Sequence, residues 1–138
     1  MINDEKIVRM KGILEQVYLP IIEVKVHNMH LHFILDTGST NSILDERVII
    51  LLKDPISFVS RSKLQGIEGN AIQSLQGVLS FVFCDKAYQQ TFCFMSLQKP
   101  FEAIKRDSGI EIHGILGTDF LMANKWIIDF KEGVIRID

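Results

Sequence analysis

Long apolar runs are missing from this 138-residue chain. None approaches the ~18 residues that a bilayer-spanning helix needs. The N-terminal stretch MINDEKIVRMKG is charged and has no apolar core of the kind a signal peptide carries. The expectation is a cytoplasmic protein, although a chain trimmed of an export signal would read the same. Cysteine is scarce: Cys84 and Cys93 are the whole supply, with no CxxC and no thiol–histidine pattern. The two could face each other across a hairpin, which leaves a disulfide open. In a chain without an export signal such a pair is more often reduced and half-buried. An excess of one charge is absent as well. Fifteen Lys and Arg against seventeen Asp and Glu leave a net charge of −2, and the basic residues are scattered. No nucleic-acid partner is expected. There is no repeat, low-complexity tract or linker.

What is present is apolar and strand-like. Hydrophobic residues make up 47% of the chain, which is rich for a small monomer and suits a subunit interface. Residues 1–12 read as a polar lead-in able to pair as an edge strand, and residues 13–138 as one domain. IIEVKV (Ile21–Val26) alternates with period two, HNMH turns, and LHFIL (Leu31–Leu35) returns. LDERVIILLKD (Leu44–Asp54) reads as a short helix capped by Asp45. KLQGIEGNAIQSLQG (Lys63–Gly77) reads as two strands around a glycine-bearing tip. VLSFVF and TFCFMSL are further strands, joined by a polar turn near Asp85–Gln90. Residues 98–112 read as irregular. GILG is a short strand, TDFLMAN a short helix capped by Thr118 or Asp119, and WIIDF–KEG–VIRI a closing hairpin. The sum is an all-β fold: a small closed barrel with one or two short helices.

The stretch LHFILDTGSTNSIL carries the chemistry. Asp36 follows an apolar strand directly, so its carboxylate lies at the edge of the core. Thr37 offers a hydroxyl and an N–H, Gly38 permits close backbone approach, and Ser39 can donate to a carboxylate oxygen. Donors to the charged form lower a carboxylate's pKa. The tripeptide alone is weak, since D-[ST]-G arises by chance in roughly one chain in fifteen of this length. A plain Asx turn would account for it. A second copy, Asp107–Ser108–Gly109, follows Lys105 and Arg106 and belongs in a solvated turn. His27, His30 and His32 cluster, but no fitting further ligands accompany them, so no metal is expected.

The wider pattern resembles the retropepsin-like aspartic proteases, in particular the bacterial single-domain, gag-polyprotein-type group. Two anchors carry the resemblance: apolar–apolar–Asp-Thr-Gly-Ser at Ile34–Ser39 and apolar–apolar–Gly at Ile115–Gly117, with a glycine-tipped hairpin between them. It spans roughly Leu19 to Ile137. The resemblance implies an acid-protease barrel with a flap hairpin, and an aspartic endopeptidase needing no cofactor. Asp36 would be the catalytic carboxylate, with Thr37, Gly38 and Ser39 supporting its loop. Gly66, Ile67, Glu68 and Gly69 would form the flap tip, and Thr40, Asn41, Ile115 and Leu116 would complete the substrate site. Glu68 departs from the usual apolar tip, and Thr118 stands where viral members carry an arginine that braces their dimer. One chain holds one Asp-Thr-Gly loop, so the resemblance implies a homodimer acting on a peptide or protein substrate. The alternative is a non-catalytic peptide- or protein-binding module on the same barrel.

Overall fold

A computed structural model of the protein describes residues 5–52, 57–65 and 71–137; for 57–65 and 71–74 only the backbone is considered. Among them are ten strands and four short helices. The lead-in forms strand β1 (Lys6–Arg9) and is followed by helix α1 (Lys11–Val17). The alternation of IIEVKV is realised in β2 (Ile21–Val26), with Ile22, Val24 and Val26 enclosed and Glu23 and Lys25 exposed. A turn with His27 at φ 53° returns the chain as β3 (Met29–Leu35). Next come β4 (Ile43–Asp45), α2 (Arg47–Leu51), β5 (Ser57–Gln65), β6 (Ala71–Phe83) and β7 (Lys86–Met95). The chain closes with α3 (Glu102–Ser108), β8 (Ile112–Leu116), α4 (Thr118–Ala123), β9 (Ile127–Asp129) and β10 (Val134–Ile137).

Six strands, in the order β2-β3-β8-β4-β7-β6, close on themselves through a β2–β6 pairing at Lys25↔Val82, and β5 extends the β6 edge. The expected barrel is therefore present. The β6–β7 turn is two residues, Cys84 and Asp85, both at positive φ (51° and 63°), as the twist of a tight hairpin requires. This is shorter than the expected turn near Asp85–Gln90. It also separates the two cysteines. Cys84 sits in the turn, whereas Cys93 pairs with Gln76 far along β7, roughly 23 Å away at ~3.3 Å per residue. Neither forms a disulfide.

Aromatic rings fill the barrel. Phe33 packs edge-on against Phe81 (5.5 Å) and Phe92 (5.7 Å), and Phe120 from α4 reaches Phe81, Tyr88 and Trp126 at 4.9–5.8 Å. Such pairs each contribute about 1 kcal/mol beyond their area, so Phe120 fastens α4 to the barrel. A smaller cluster of Ile21, Ile34 and Ile112 lies apart from this core and is covered by Ile13 and Val17 of α1 and by Phe101 and Ile104 at α3. Part of the apolar surplus is thus spent within the chain.

Those two helices depart from expectation. Seven residues carry too few turns for a periodicity to stand out, and α1 and α3 owe their stability to the isoleucines they cover. Gly109 ends α3 in the left-handed conformation (φ 78°). The second D-S-G is therefore the end of a helix, with Asp107 exposed. Of the helix predicted for Leu44–Asp54, Arg47–Leu51 form α2 and residues 53–54 lie outside the described residues; Asp45 is the last residue of β4, and Glu46 holds the cap position.

Candidate active site

The topology places the Asp36 loop. Strand β8 lies between β3 and β4, parallel to the first and antiparallel to the second. Residues 36–42, which join β3 to β4, must therefore pass over the C-terminal end of β8. Six hydrogen bonds tie the two segments there. Asp36 N–H donates to the Leu116 carbonyl (3.0 Å), and Thr118 donates to the Ser39 carbonyl from its N–H (2.8 Å) and its hydroxyl (3.3 Å). Gly117 N–H donates to Ser42 Oγ (3.1 Å). Ser42 donates its own N–H (3.0 Å) and hydroxyl (2.8 Å) to the two oxygens of Asp119. The crossing is tight: a Cβ on Gly117 would lie 2.5 Å from the Ser39 carbonyl oxygen and 2.9 Å from that of Asn41. That contact, not a turn conformation, is why glycine stands at 117.

Asp36 is half-buried, and Thr37 and Gly38 are exposed. Gly38 N–H donates to Asp36 Oδ1 (2.9 Å). The other oxygen, Oδ2, has no partner among the described residues. A carboxylate with one fixed oxygen and one open one can hold a water or share a proton with a second acid. Ser39 does not act as expected. Its hydroxyl donates to the Asn41 carbonyl (2.6 Å) and not to Asp36, because the loop folds Asn41 back over it.

The other expected site residues divide. Thr40 and Asn41 are exposed beside the loop. Ile115 and Leu116 are enclosed, Leu116 wholly so within the aromatic core. What Leu116 presents to the loop is its carbonyl. β5 and β6 pair antiparallel up to Gln65↔Ala71, as a flap hairpin would; the tip residues Gly66, Ile67, Glu68 and Gly69 lie outside the described residues. Thr118 and Asp119 do not cap α4, whose cap residue is Gly117.

Two polar features escaped the sequence reading. Asp119 also accepts from Gln90 Nε2 (3.0 Å) and from Phe120 N–H (2.8 Å). At the other end of β8, Asp45 is wholly enclosed yet accepts Arg47 N–H, Nε and Nη2 and Leu97 N–H at 2.8–3.0 Å. Burial pushes its carboxyl up, but these donors and the Arg47 charge outweigh burial and hold it below the usual carboxylate range. Arg47 Nη1 also meets Glu111 Oε1 at 2.8 Å. A cavity of about 410 Å³, lined by Arg47, Lys99, Phe101, Lys105 and Glu111 among others, opens at this end. Ile112, on its wall, pairs with His32 and lies four residues before Leu116. At ~3.3 Å per residue that is roughly 13 Å from the Asp36 loop, so the cavity is separate from it. Among the described residues no three of His, Cys, Asp and Glu are placed to hold a metal ion.

The histidines serve the sheet. His30 Nδ1 meets Glu23 Oε1 at 2.8 Å. His113 Nδ1 accepts the backbone N–H of His32 (3.0 Å) where the β3–β8 register shifts. Burial lowers the pKa of His113, the charges of His32 and Arg47 lower it further, and Glu111 and Asp45 oppose them.

The arrangement has known counterparts. EIAV protease complexed with the inhibitor HBY-793 superposes with a TM-score of 0.55 over 76% of this chain and 86% of its own, at 17% identity. The retroviral protease-like domain of Ddi1 from Leishmania major gives 0.56 over 87% and 88%, at 15% identity. At these identities the likeness is one of fold. Among curated proteins none matches in sequence. Residues 16–128, however, match the retroviral aspartyl protease family. With the Asp-Thr-Gly-Ser loop laid across the end of β8, the chain belongs to that family.

Proposed function

We propose that the protein is an aspartic endopeptidase that works as a homodimer, with Asp36 of each subunit meeting at the two-fold axis. The carrying observation is Asp36 itself, whose Oδ2 has no partner among the described residues and sits on an exposed loop, in a chain with one Asp-Thr-Gly loop. A carboxylate on the axis meets its own copy without further design. Two carboxylates about 3 Å apart at an effective dielectric near 20 repel by roughly 5 kcal/mol, about four pKa units, so they share one proton at mildly acidic pH. Aspartic proteases are the type example of such a pair. The ionised member takes a proton from the water held between them. The water oxygen bonds to the scissile carbonyl carbon as the protonated member gives its proton to the carbonyl oxygen; the C–N bond then breaks as the nitrogen takes up the proton drawn from the water and the other acid regains its own, leaving acid and amine. The β5–β6 hairpin would close over an extended substrate.

The C-terminal sheet supports a particular dimer. β10 is already flanked by β1 and β9, so it has no edge to offer a partner. The outer edge of β9 is unpaired among the described residues, and Ile127 (56% exposed), Phe130 (64%) and Met122 of α4 (77%) stand out around it. Helix α4 starts at the Asp36 loop, so a copy docked there would bring the loops together. The charged β1 edge, with Lys6 and Arg9, suits water instead.

The test is proteolysis across protein concentration, with casein and a peptide library at acidic and neutral pH. Specific activity should fall steeply below the dimer dissociation constant, and a peptide with a secondary alcohol in place of the scissile amide should inhibit. Full turnover by a proven monomer would overturn the proposal. A stable monomer that binds peptides without cutting them would establish the binding-module alternative.

A further inference from the structure

We infer that Asp119 is the positioning residue of the Asp36 loop: acting through Ser42, it sets where the loop crosses β8 and so how far apart the two Asp36 carboxylates stand. This inference rests on the aspartic protease reading above. It starts from Ser42, whose side chain is wholly enclosed (0% exposed). An enclosed hydroxyl must be satisfied, and this one is used in both senses. It accepts Gly117 N–H at 3.1 Å and donates to Asp119 Oδ1 at 2.8 Å. The Ser42 amide donates to Asp119 Oδ2 at 3.0 Å, and the Ser42 carbonyl accepts Cys93 N–H at 3.0 Å. Ser42 therefore joins the end of the Asp36 loop to the β8–α4 corner and to β7, and Asp119 supplies both acceptors that fix it.

An acid in the first turn of a short helix has a plainer role, that of complementing the helix amides. Only the bond to Phe120 N–H serves that role. The bonds to Ser42 and Gln90 leave the helix for the loop and the barrel wall. All four hydrogen bonds are donated to Asp119, which needs both of its oxygens as acceptors. An amide has one acceptor oxygen and would turn its NH2 toward a donor. No charged side chain among the described residues bonds Asp119. Asp36 lies at the other end of the loop that Ser42 terminates, anchored by Leu116, the residue before Gly117. A displacement at this corner is shared by Asp36, and the two-fold axis doubles it in the carboxylate separation.

Asp119→Ala and Asp119→Asn should be compared with the parent protein at concentrations that keep the dimer. For Asp119→Ala, kcat should fall about 10–100-fold with KM within about threefold, since misplacement by ~1 Å costs this much. Widening the carboxylate separation from about 3 to 4 Å would bring the acid and alkaline limbs of the pH–rate profile roughly one unit closer. Asp119→Asn should lie between. A loss of stability alone would move neither limb. The second readout needs no activity: amide hydrogen exchange at Asp36, Ser42, Gly117 and Thr118 should quicken about tenfold or more in Asp119→Ala, with β2 and β10 unchanged. If Asp119→Ala fails to fold, Ser42→Ala carries the same measurements. Limbs at their parental positions with kcat near parental, or exchange that is unchanged or rises equally everywhere, would overturn the inference. A parent protein that cleaves nothing would instead overturn the protease reading, and the exchange data would still decide whether Asp119 holds the loop.

Discussion

Asp36 and Asp45 flank the same short segment and have opposite surroundings. Asp45 is wholly enclosed and accepts four hydrogen bonds from Arg47 and Leu97. Asp36 is half-buried, accepts one from Gly38 and, among the described residues, leaves an oxygen open. A carboxylate whose lone pairs are all spent holds structure together and has nothing left for a substrate. One that is anchored on one side only can exchange protons. The two ends of β8 repeat the contrast. At Leu116 the chain spends backbone bonds to lift an acid to the surface. Near Ile112 it buries an acid beneath an arginine.

The largest effect should come from Asp36→Asn, which is expected to abolish proteolysis while leaving the thermal midpoint nearly unchanged. Retained activity, or a collapse of the fold, would put Asp36 in the same class as Asp45. Asp45→Ala should do the reverse, costing about 3–5 kcal/mol of unfolding free energy in a denaturant titration, because it strands buried donors and half of an ion pair. A cost below 1 kcal/mol would mean that the Arg47 network is ornamental. Because the folded pKa of Asp45 is depressed, its contribution is present above the unfolded carboxylate pKa of about 3.9 and is lost as pH falls through the lower folded value.

His113 gives a smaller effect of the same sign. Its folded pKa lies below the ordinary value of about 6.5, so the unfolded chain binds the proton more readily. Its stabilisation is complete above that value and declines as pH falls toward the folded one. Protonation also removes the acceptor that Nδ1 offers to His32 N–H. About 1 kcal/mol, the net worth of one such bond, should be lost between pH 7 and 5, and His113→Phe should flatten that slope. An unchanged slope would remove His113 from the account.

Much of this was legible in the chain. Ile21–Val26 announced its inward face by alternation, and the two anchors announced the loop and the strand beneath it. Asp45 reads as a helix cap because its neighbours Glu46 and Arg47 look like a helix start. It does accept Arg47 N–H, but it also accepts the Arg47 guanidinium and Leu97 N–H, the latter 52 residues away. Thr118 or Asp119 reads as a cap of the next helix, whereas the link from Asp119 to Ser42 spans 77 residues. α1 and α3 are not legible because a seven-residue helix is stabilised by the surface it covers, here Ile21, Ile34 and Ile112.

The sequence alone assigns β2 through its two-residue period, whereas β4 falls inside a stretch that reads as a helix. It also determined the single Asp-Thr-Gly-Ser loop, because that motif is local and its residue types serve one chemistry. Only the tertiary structure decided which carboxylate is spent and which is open, where Ser39 sends its proton, and that β10 has no edge to share. Each of these depends on donors brought together from distant parts of the chain, and hydrogen bonds are specified by distance in space, which sequence separation does not encode.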